Sequence, residues 1–162
     1  MTFVSSSAIS AVDEAYLERA VALAWDARNR GDHPFGALLV APDGSVAEGL
    51  NSTVTDSDPT GHAETNLVRA AGGWELAVLA ESTLYTSTEP CAMCAGAIYW
   101  SGIGRMVFAF SSAELAAIVD DDGVPPLRLS SREVFERGGR PIVVDGPADL
   151  TSAADVHQGF WR

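Results

Sequence analysis

The sequence predicts an α/β protein built as a three-layer α/β/α sandwich, and three observations lead to that fold class. Residues 10–30 carry apolar side chains at helical spacing, two short segments after them predict a β-hairpin, and helix and strand patterns alternate from residue 61 onward. Such alternation is typical of parallel strands joined by helical crossovers. Because each crossover helix must pack its apolar face on the sheet, we expect helices on both faces.

Turn formers and capping residues bound the individual elements. The first helix can be capped by Ser10 and Asp13 and ends at Gly31, and the hairpin strands, 35–40 and 45–50, turn at residues 42–44. Further helices are predicted over residues 62–71, from 89 to about 102, and over 112–119, 131–137 and 147–161, the last with Pro147 in its first turn. Further strands are predicted over residues 83–87, 106–110 and 142–144.

Length and composition predict one domain spanning residues 1–162, with a hydrophobic fraction of 47% and a charged fraction of 20%. The longest apolar run is too short to cross a bilayer, and residues 1–10 lack the charge pattern of a secretory signal. The net charge is −12, with ten arginines and no lysine. Since binding to nucleic acid requires basic side chains that neutralise phosphates, the composition disfavours a polynucleotide partner.

Two cysteines, Cys91 and Cys94, lie three positions apart, which favours metal or redox chemistry in a reducing compartment, so we expect a cytoplasmic protein. In a helix their sulfurs share one face, and a helix N-terminus favours thiolates. Together with the imidazole of His62 they supply three tetrahedral ligands for zinc. A catalytic zinc site leaves its fourth position to water, so we expect one Zn²⁺ per chain.

Glu64 lies two positions after His62, where the first turn of a helix lets its carboxylate point into the same hollow. A carboxylate there can take a proton from water and return it to a leaving group. Two alternatives stay open, a thioredoxin-like redox pair and a structural zinc site with a fourth protein ligand. The isolated His33 and His157 are expected to be ordinary polar residues, with His157 on the outside of the last helix.

Three stretches of the sequence, residues 33–37, 61–64 and 84–100, resemble the cytidine-deaminase-like superfamily. The nearest branch holds guanine deaminases, yeast-type cytosine deaminases and tRNA adenosine deaminases, and the similarity is loose after residue 111. The resemblance implies a five-stranded mixed sheet, a zinc site at two helix N-termini, and a homodimer, in some members with an exchanged C-terminal segment. It also implies that His62, Cys91 and Cys94 bind zinc and that Glu64 is the proton shuttle.

The resemblance further implies a set of substrate contacts. Asn51 matches an asparagine that hydrogen-bonds the base, and its amide can donate and accept at once, although it could instead cap the strand as a turn residue. Phe35 and Trp100 are expected to line the pocket, because flat rings bind well against aromatic faces, or else to belong to the core. The remaining expected contacts are Ala63, Asp121, and the C-terminal Phe160 and Trp161, which resemble aromatic tails that close the site.

These features predict a zinc-dependent hydrolytic deaminase of a free nucleobase or related amino-heterocycle, with guanine as the first candidate. The acidic residues 120–122 lie where guanine-type members place a carboxylate, which would accept from the donors of guanine, or else they form a solvated loop. Pro125 and Pro126 depart from the guanine-type pattern, so cytosine and triazine amines stay open. The rival interpretations are a tRNA adenosine deaminase and a non-catalytic zinc or redox domain.

Overall fold

The computed structural model describes residues 9–119 and 125–161 and folds them around one five-stranded sheet. Its strands are β1 (Gly36–Val40), β2 (Val46–Leu50), β3 (Thr83–Thr88), β4 (Arg105–Phe110) and β5 (Val143–Asp145). They lie in the order β2-β1-β3-β4-β5. Strand β1 pairs antiparallel with β2 and β3, whereas β3, β4 and β5 are parallel, so the mixed sheet is confirmed.

Seven helices flank the sheet within the described ranges: α1 (Ala11–Asn29), α2 (Ala63–Ala70), α3 (Leu76–Glu81), α4 (Ala92–Ser101), α5 (Ser112–Ala116), α6 (Ser131–Glu136) and α7 (Thr151–Asp155). Side chains of α1 and α7 share one core cluster, and side chains of α2, α4 and α6 share the other. The three-layer sandwich is therefore confirmed. Across these same ranges, the structure has no helix that is both long enough and apolar enough to span a membrane.

The central strands are buried on both faces because neighbouring residues point to opposite layers. Leu38 packs with α1, whereas Leu39 packs with α2 and α4, and both are fully buried. Strand β4 repeats the pattern with Met106 and Val107. This accounts for the nearly continuous apolar runs of these strands, which a sheet covered on both faces requires.

Two helices differ from the sequence prediction. The last helix is only Thr151–Asp155, because the backbone before it bonds to β4, with the Ala148 amide donating to the Phe108 carbonyl at 3.1 Å. Pro147 lies four residues before α7 begins at Thr151, so it is not in the first turn of that helix. Helix α3 was not predicted; Leu79 is its buried residue, which leaves too little apolar periodicity to detect it.

A glycine on β2 sets how closely α2 approaches the sheet. A Cβ added at Gly49 would lie 2.2 Å from the Ala63 carbonyl oxygen and 2.8 Å from the Leu67 amide nitrogen. Both atoms belong to the backbone of α2, so neither can move aside without moving the helix. Gly49 therefore fixes the position of the helix whose first turn carries His62 and Glu64.

We predict that Gly49→Ala lowers the free energy of unfolding by about 1–3 kcal/mol, because it overpacks the contact between β2 and α2. Gly73→Ala is the matched control, since a Cβ there meets nothing within 4 Å, and it should stay within about 0.5 kcal/mol of wild type. Urea unfolding measures both variants. Equal stabilities of the two variants would contradict the close approach.

Candidate functional site

Three side chains meet where α2 and α4 begin. His62 is the N-cap residue of α2, Cys91 is the N-cap residue of α4, and Cys94 lies in the first turn of α4. The His62 Nδ1 lies 3.5 Å from each cysteine Sγ, and the three ligand atoms lie within 4.8 Å of one another. Neither N-cap side chain caps its own helix, so the imidazole and the thiol are available to a ligand between them.

These distances fit a tetrahedral zinc ion. Zinc–nitrogen and zinc–sulfur bonds of about 2.0 and 2.3 Å, at a tetrahedral angle, place the nitrogen and sulfur atoms about 3.5 Å apart. The observed separations of 3.5 Å have that value, so they are better described as edges of a coordination tetrahedron than as weak hydrogen bonds. His62, Cys91 and Cys94 are thus the residues that would hold zinc, and three protein ligands leave one position for water or substrate.

The electrostatics of the two sulfurs favour the same cation. A hydrogen bond from Cys94 lowers the pKa of Cys91 to about 4, and the same bond raises the pKa of Cys94. The first thiolate therefore opposes the second, because two like charges at this distance repel. The thiolate of Cys91 also raises the pKa of His62. A divalent cation shared by the three residues stabilises both thiolates and keeps the imidazole neutral.

Glu64 lies in the first turn of α2 and is buried, with 5% of its surface exposed. Burial raises its pKa, and the hydroxyl of Thr86, 2.8 Å from Oε1, opposes that shift. The same hydroxyl lies 3.0 Å from the Thr88 carbonyl oxygen. A hydroxyl has one proton to donate, so Thr86 donates either to Glu64 or to Thr88. The sequence analysis missed Thr86; polar residues at alternate positions of a buried strand were the available signal.

A cavity of ≈ 420 Å³ opens beside the metal ligand His62. Its other lining residues come from the segments on either side of β1 and β2, and they are His33, Thr53, Val54, Ser57 and Pro59. The volume lies in the range of small-molecule sites. A second cavity of ≈ 300 Å³, between α2 and α3, is lined mainly by apolar side chains such as Val68, Trp74 and Leu79. Since no titratable side chain lines that second cavity, the chemistry belongs to the first.

Asn51, just beyond β2, is 2% exposed and already binds the protein with its oxygen. Its Oδ1 accepts from the Thr53 amide at 3.1 Å, the Thr53 hydroxyl at 2.9 Å and the His33 amide at 3.3 Å. These donors fix which end of the side chain is oxygen. Asn51 therefore caps the loop through its oxygen, and its expected contact with a base stays a prediction.

The C-terminal aromatic residues pack beside the cavity. Trp161 lies 5.4 Å from His33 and 6.0 Å from Phe35, between ring centroids, and Phe160 lies 6.0 Å from His33. The expectation that His157 lies on the outside of the last helix is wrong: its side chain is 2% exposed and stacks on Phe110. His33 is not isolated either, because it lines the cavity and contacts both tail rings.

The structure does not bring every expected contact to the cavity. Trp100 is 83% exposed on the outer side of α4 and packs edge-on against Tyr99, so it is neither core nor a pocket wall within one chain. Ala63 is fully buried between His62 and Glu64. Asp121 and its neighbours at 120 and 122 lie outside the described residues.

A His-Cys-Cys group can hold zinc, and a buried carboxylate beside it can act as a general acid–base. Together these residues define the class of protein as a zinc-dependent hydrolase. Within that class the family is specific. Residues 10–110 match the family model of the cytidine and deoxycytidylate deaminase zinc-binding region, and the chain belongs to this family of deaminases.

Curated relatives of the chain include deaminases of three different substrates. A probable cytosine deaminase of Schizosaccharomyces pombe is 42% identical over 159 residues, which cover 98% of each chain. A guanine deaminase of Bacillus subtilis is 41% identical over 114 residues, covering 67% of this chain and 71% of that one. A tRNA-specific adenosine deaminase of Haemophilus influenzae is 42% identical over 111 residues, covering 67% and 64%.

Solved structures give the same fold. A guanine deaminase from Nitrosomonas europaea superposes with a TM-score of 0.73 at 27% identity, covering 91% of this chain and 83% of that one. A mutant protein in complex with 8-azaguanine superposes with a TM-score of 0.74 at 27% identity, covering 91% and 84%. The cytidine-deaminase-like fold class is therefore confirmed, as is its zinc-binding region.

We predict that the purified protein holds about one zinc ion per chain and that Cys94→Ala loses it, because two remaining ligands do not make a stable zinc site. Elemental analysis after dialysis against a weak chelator measures the metal content. Thr65→Val is the matched control, since Thr65 contacts the Cys94 sulfur at 3.3 Å without being one of the three ligands. Wild-type protein without zinc would contradict the assignment.

Proposed function

We propose that the protein hydrolytically deaminates a free nucleobase or a closely related amino-heterocycle, as one domain that spans the chain. The observation that carries the proposal is the convergence of buried Glu64 with the His62, Cys91 and Cys94 group. Glu64 interacts electrostatically with all three of these side chains. A redox pair would have no use for the imidazole and the carboxylate, and a structural zinc site would need a fourth protein ligand.

The chemistry divides between the metal and the chain's own residues. Zinc, when bound, supplies the Lewis acidity that makes water a nucleophile at neutral pH. Glu64 takes a proton from the attacking water and delivers it to the exocyclic nitrogen, which leaves as ammonia while oxygen stays on the ring carbon. Its burial keeps bulk water from competing for that proton.

Thr86 suits both charge states of such a shuttle. When Glu64 is ionised, the Thr86 hydroxyl donates to it across 2.8 Å. When Glu64 carries the proton, it can donate to the Thr86 oxygen, and the hydroxyl then donates to the Thr88 carbonyl at 3.0 Å. The carboxyl group therefore keeps a hydrogen-bond partner before and after it takes the proton, so its side chain need not rotate during turnover.

Asn51 favours a ring that presents an acceptor. Its oxygen is occupied by protein donors, so only its Nδ2 hydrogens are left for the substrate. The ring carbonyls of cytosine and guanine supply such an acceptor. A relative that matches 98% of the chain is a probable cytosine deaminase, which favours cytosine over guanine as the first candidate. Guanine remains the second candidate, supported by the structural similarity to proteins that are guanine deaminases or bind 8-azaguanine.

A tRNA substrate is disfavoured by where the arginines lie. Arg105 forms ion pairs with Asp13 and Asp145, each at 2.8 Å. Four further arginines donate to backbone carbonyl groups, and they are Arg28, Arg30, Arg132 and Arg140. Because five of the ten arginines are engaged in holding the fold together, a further one, Arg19, pairs with Glu48, and the chain has no lysine, a basic groove for phosphates is disfavoured.

The outer face of α4 favours a homodimer. Met93, Gly96 and Trp100 lie on one side of the helix, where Met93 is 38% and Trp100 83% exposed and a Cβ at Gly96 would meet nothing within 4 Å. A two-fold axis through Gly96 would place the gap at Gly96 of one copy against the same gap of the other, so the two helices could approach closely with Met93 of each copy near Trp100 of the other. We therefore infer that the occupant of this face is a second copy of the chain.

A cytoplasmic location is part of the same proposal. Cys91 and Cys94 are free thiols within one candidate metal site. A reducing compartment keeps such thiols available to zinc.

We predict ammonia release from cytosine, with weaker or no release from the nucleosides, in an assay of the zinc-loaded protein on cytosine, guanine, adenine, their nucleosides and amino-triazines. If guanine is the best substrate, guanine becomes the first candidate and cytosine the second. Activity confined to nucleosides or to tRNA would reject a free-base enzyme. Glu64→Ala is the control, and it should keep zinc while losing at least about 100-fold in kcat, as the loss of a general acid–base does.

We predict that the wild-type protein has about twice the 17.0 kDa mass of one chain in light scattering and that Trp100→Arg reduces the mass to one chain. The substitution places a charge in the centre of the inferred interface, which costs more than the contact gains. Val12→Arg is the matched control on α1, where Val12 is 64% exposed, and it should remain dimeric. A monomeric wild type contradicts the inference.

A further inference from the structure

We propose that His157 is a positioning residue that fastens the aromatic tail, Phe160 and Trp161, to the end of β3 and so completes one wall of the substrate cavity. The contacts of His157 with Trp161 and Thr88 support the link between the tail and β3. Its consequence for substrate binding rests on the proposed function.

The two hydrogen bonds of His157 define a single tautomer. Trp161 Nε1 lies 3.3 Å from Nδ1 of His157, and an indole nitrogen can only donate. Nδ1 is therefore the acceptor, and the proton of the neutral ring is on Nε2. That nitrogen lies 3.3 Å from the hydroxyl oxygen of Thr88, to which it donates. One neutral imidazole thus links the tail to the last residue of β3.

The surroundings of the ring keep it neutral and fixed. Its plane lies nearly parallel to Phe110, 5.5 Å away, and to Trp161, 6.2 Å away, with Phe35 at 5.4 Å. Burial lowers the pKa of His157 to about 4, and nearby Arg28 acts in the same direction. A phenylalanine would fill this aromatic cluster equally well, so packing alone does not explain an imidazole. The two hydrogen bonds explain it.

The position of this link connects it to the site. Thr88 lies three residues before the metal ligand Cys91 on the same connection. At the other end, Trp161 packs on His33, which lines the cavity together with His62. A released tail would remove an aromatic surface from the cavity rim while leaving the metal ligands in place. The tail therefore affects how well a flat ring is held rather than how it reacts.

Hydrogen exchange of the full-length, zinc-loaded protein tests the fastening without reference to turnover. Trp161→Phe removes one hydrogen bond and keeps a ring, so backbone amides after residue 156 should exchange about fivefold faster. His157→Phe removes both bonds, and it should speed exchange further. Gln158→Ala is the control, since its side chain donates to Asp155 rather than to the tail, and it should leave exchange unchanged.

The double variant separates a hydrogen-bonded link from independent effects. If the link exists, His157→Phe with Trp161→Phe exchanges no faster than His157→Phe alone, because both bonds are already lost. Exchange in the double variant equal to the product of the single effects, or unchanged exchange in Trp161→Phe, overturns the fastening.

Kinetics on whichever substrate the panel identifies test the consequence. We expect His157→Phe to raise KM severalfold with kcat within about twofold, and His157→Gln to recover part of the loss because its amide can still donate to Thr88. Faster tail exchange with an unchanged KM overturns the role in substrate positioning. A wild-type protein inactive on every compound instead refutes the proposed function, and the exchange result still decides the fastening.

Discussion

The site depends on one constraint, which is that the N-termini of α2 and α4 must meet at the carboxyl end of β3. Three other helices, α1, α5 and α6, begin with a serine capping box, whereas α2 and α4 begin with His62 and Cys91, whose side chains cap nothing. A lost side-chain cap costs about 1 kcal/mol. Helices α3 and α7 also lack a side-chain cap, but only at α2 and α4 is the N-cap residue a candidate metal ligand. Metal binding can offset the missing caps of α2 and α4 only if both helices are already in place. Gly49 secures one of them by letting α2 pack directly on β2.

Buried carboxylates hold the loops around this meeting point, so the acidity of the chain is partly structural. Asp32 is fully buried, and burial would raise its pKa, but bonds from the Thr55 hydroxyl and the Val54 and Thr55 amides lower it to about 2. It thereby fixes the loop that lines the cavity.

Glu89, two residues before Cys91, accepts from the hydroxyls of Ser112 and Ser131, each at 2.9 Å. Its two oxygens connect the segment that precedes Cys91 to the starts of α5 and α6. The net charge of −12 therefore includes carboxylates that stabilise the fold as well as carboxylates on the surface.

The order of elements, the mixed sheet and the ligand group could be predicted from the sequence, because each depends on patterns among residues that are close together in the chain. Apolar periodicity marks the helices and strands, and the ligands lie at helix starts that can be recognised within a few residues. The predictions that failed depend on contacts between residues that are far apart in the chain. His157 was expected on the outside of the last helix because it belongs to no motif, yet its partner Thr88 is 69 residues away in the chain. Thr86 was overlooked for the same reason, since its contact with Glu64 depends on how β3 and α2 pack. Trp100 shows the converse, where a motif placed an aromatic residue in a pocket and the fold turned it outward on α4.

Substrate choice in this family cannot reside in the zinc ligands and the acid–base residue alone, because relatives that are cytosine, guanine and tRNA adenosine deaminases all match the region that contains them. It must reside in what surrounds them. These surroundings include Asn51, whose oxygen accepts from the protein, the rings of Phe35 and Trp161, which contact each other beside the cavity residue His33, and arginines such as Arg140, which donate to backbone carbonyl groups. Each of these features favours a small, flat and uncharged ring with an exposed acceptor. A polynucleotide would bring phosphates towards an acidic protein, and the desolvation of unpaired charge would oppose its binding. The selection must therefore be made by the residues that surround the candidate zinc ligands.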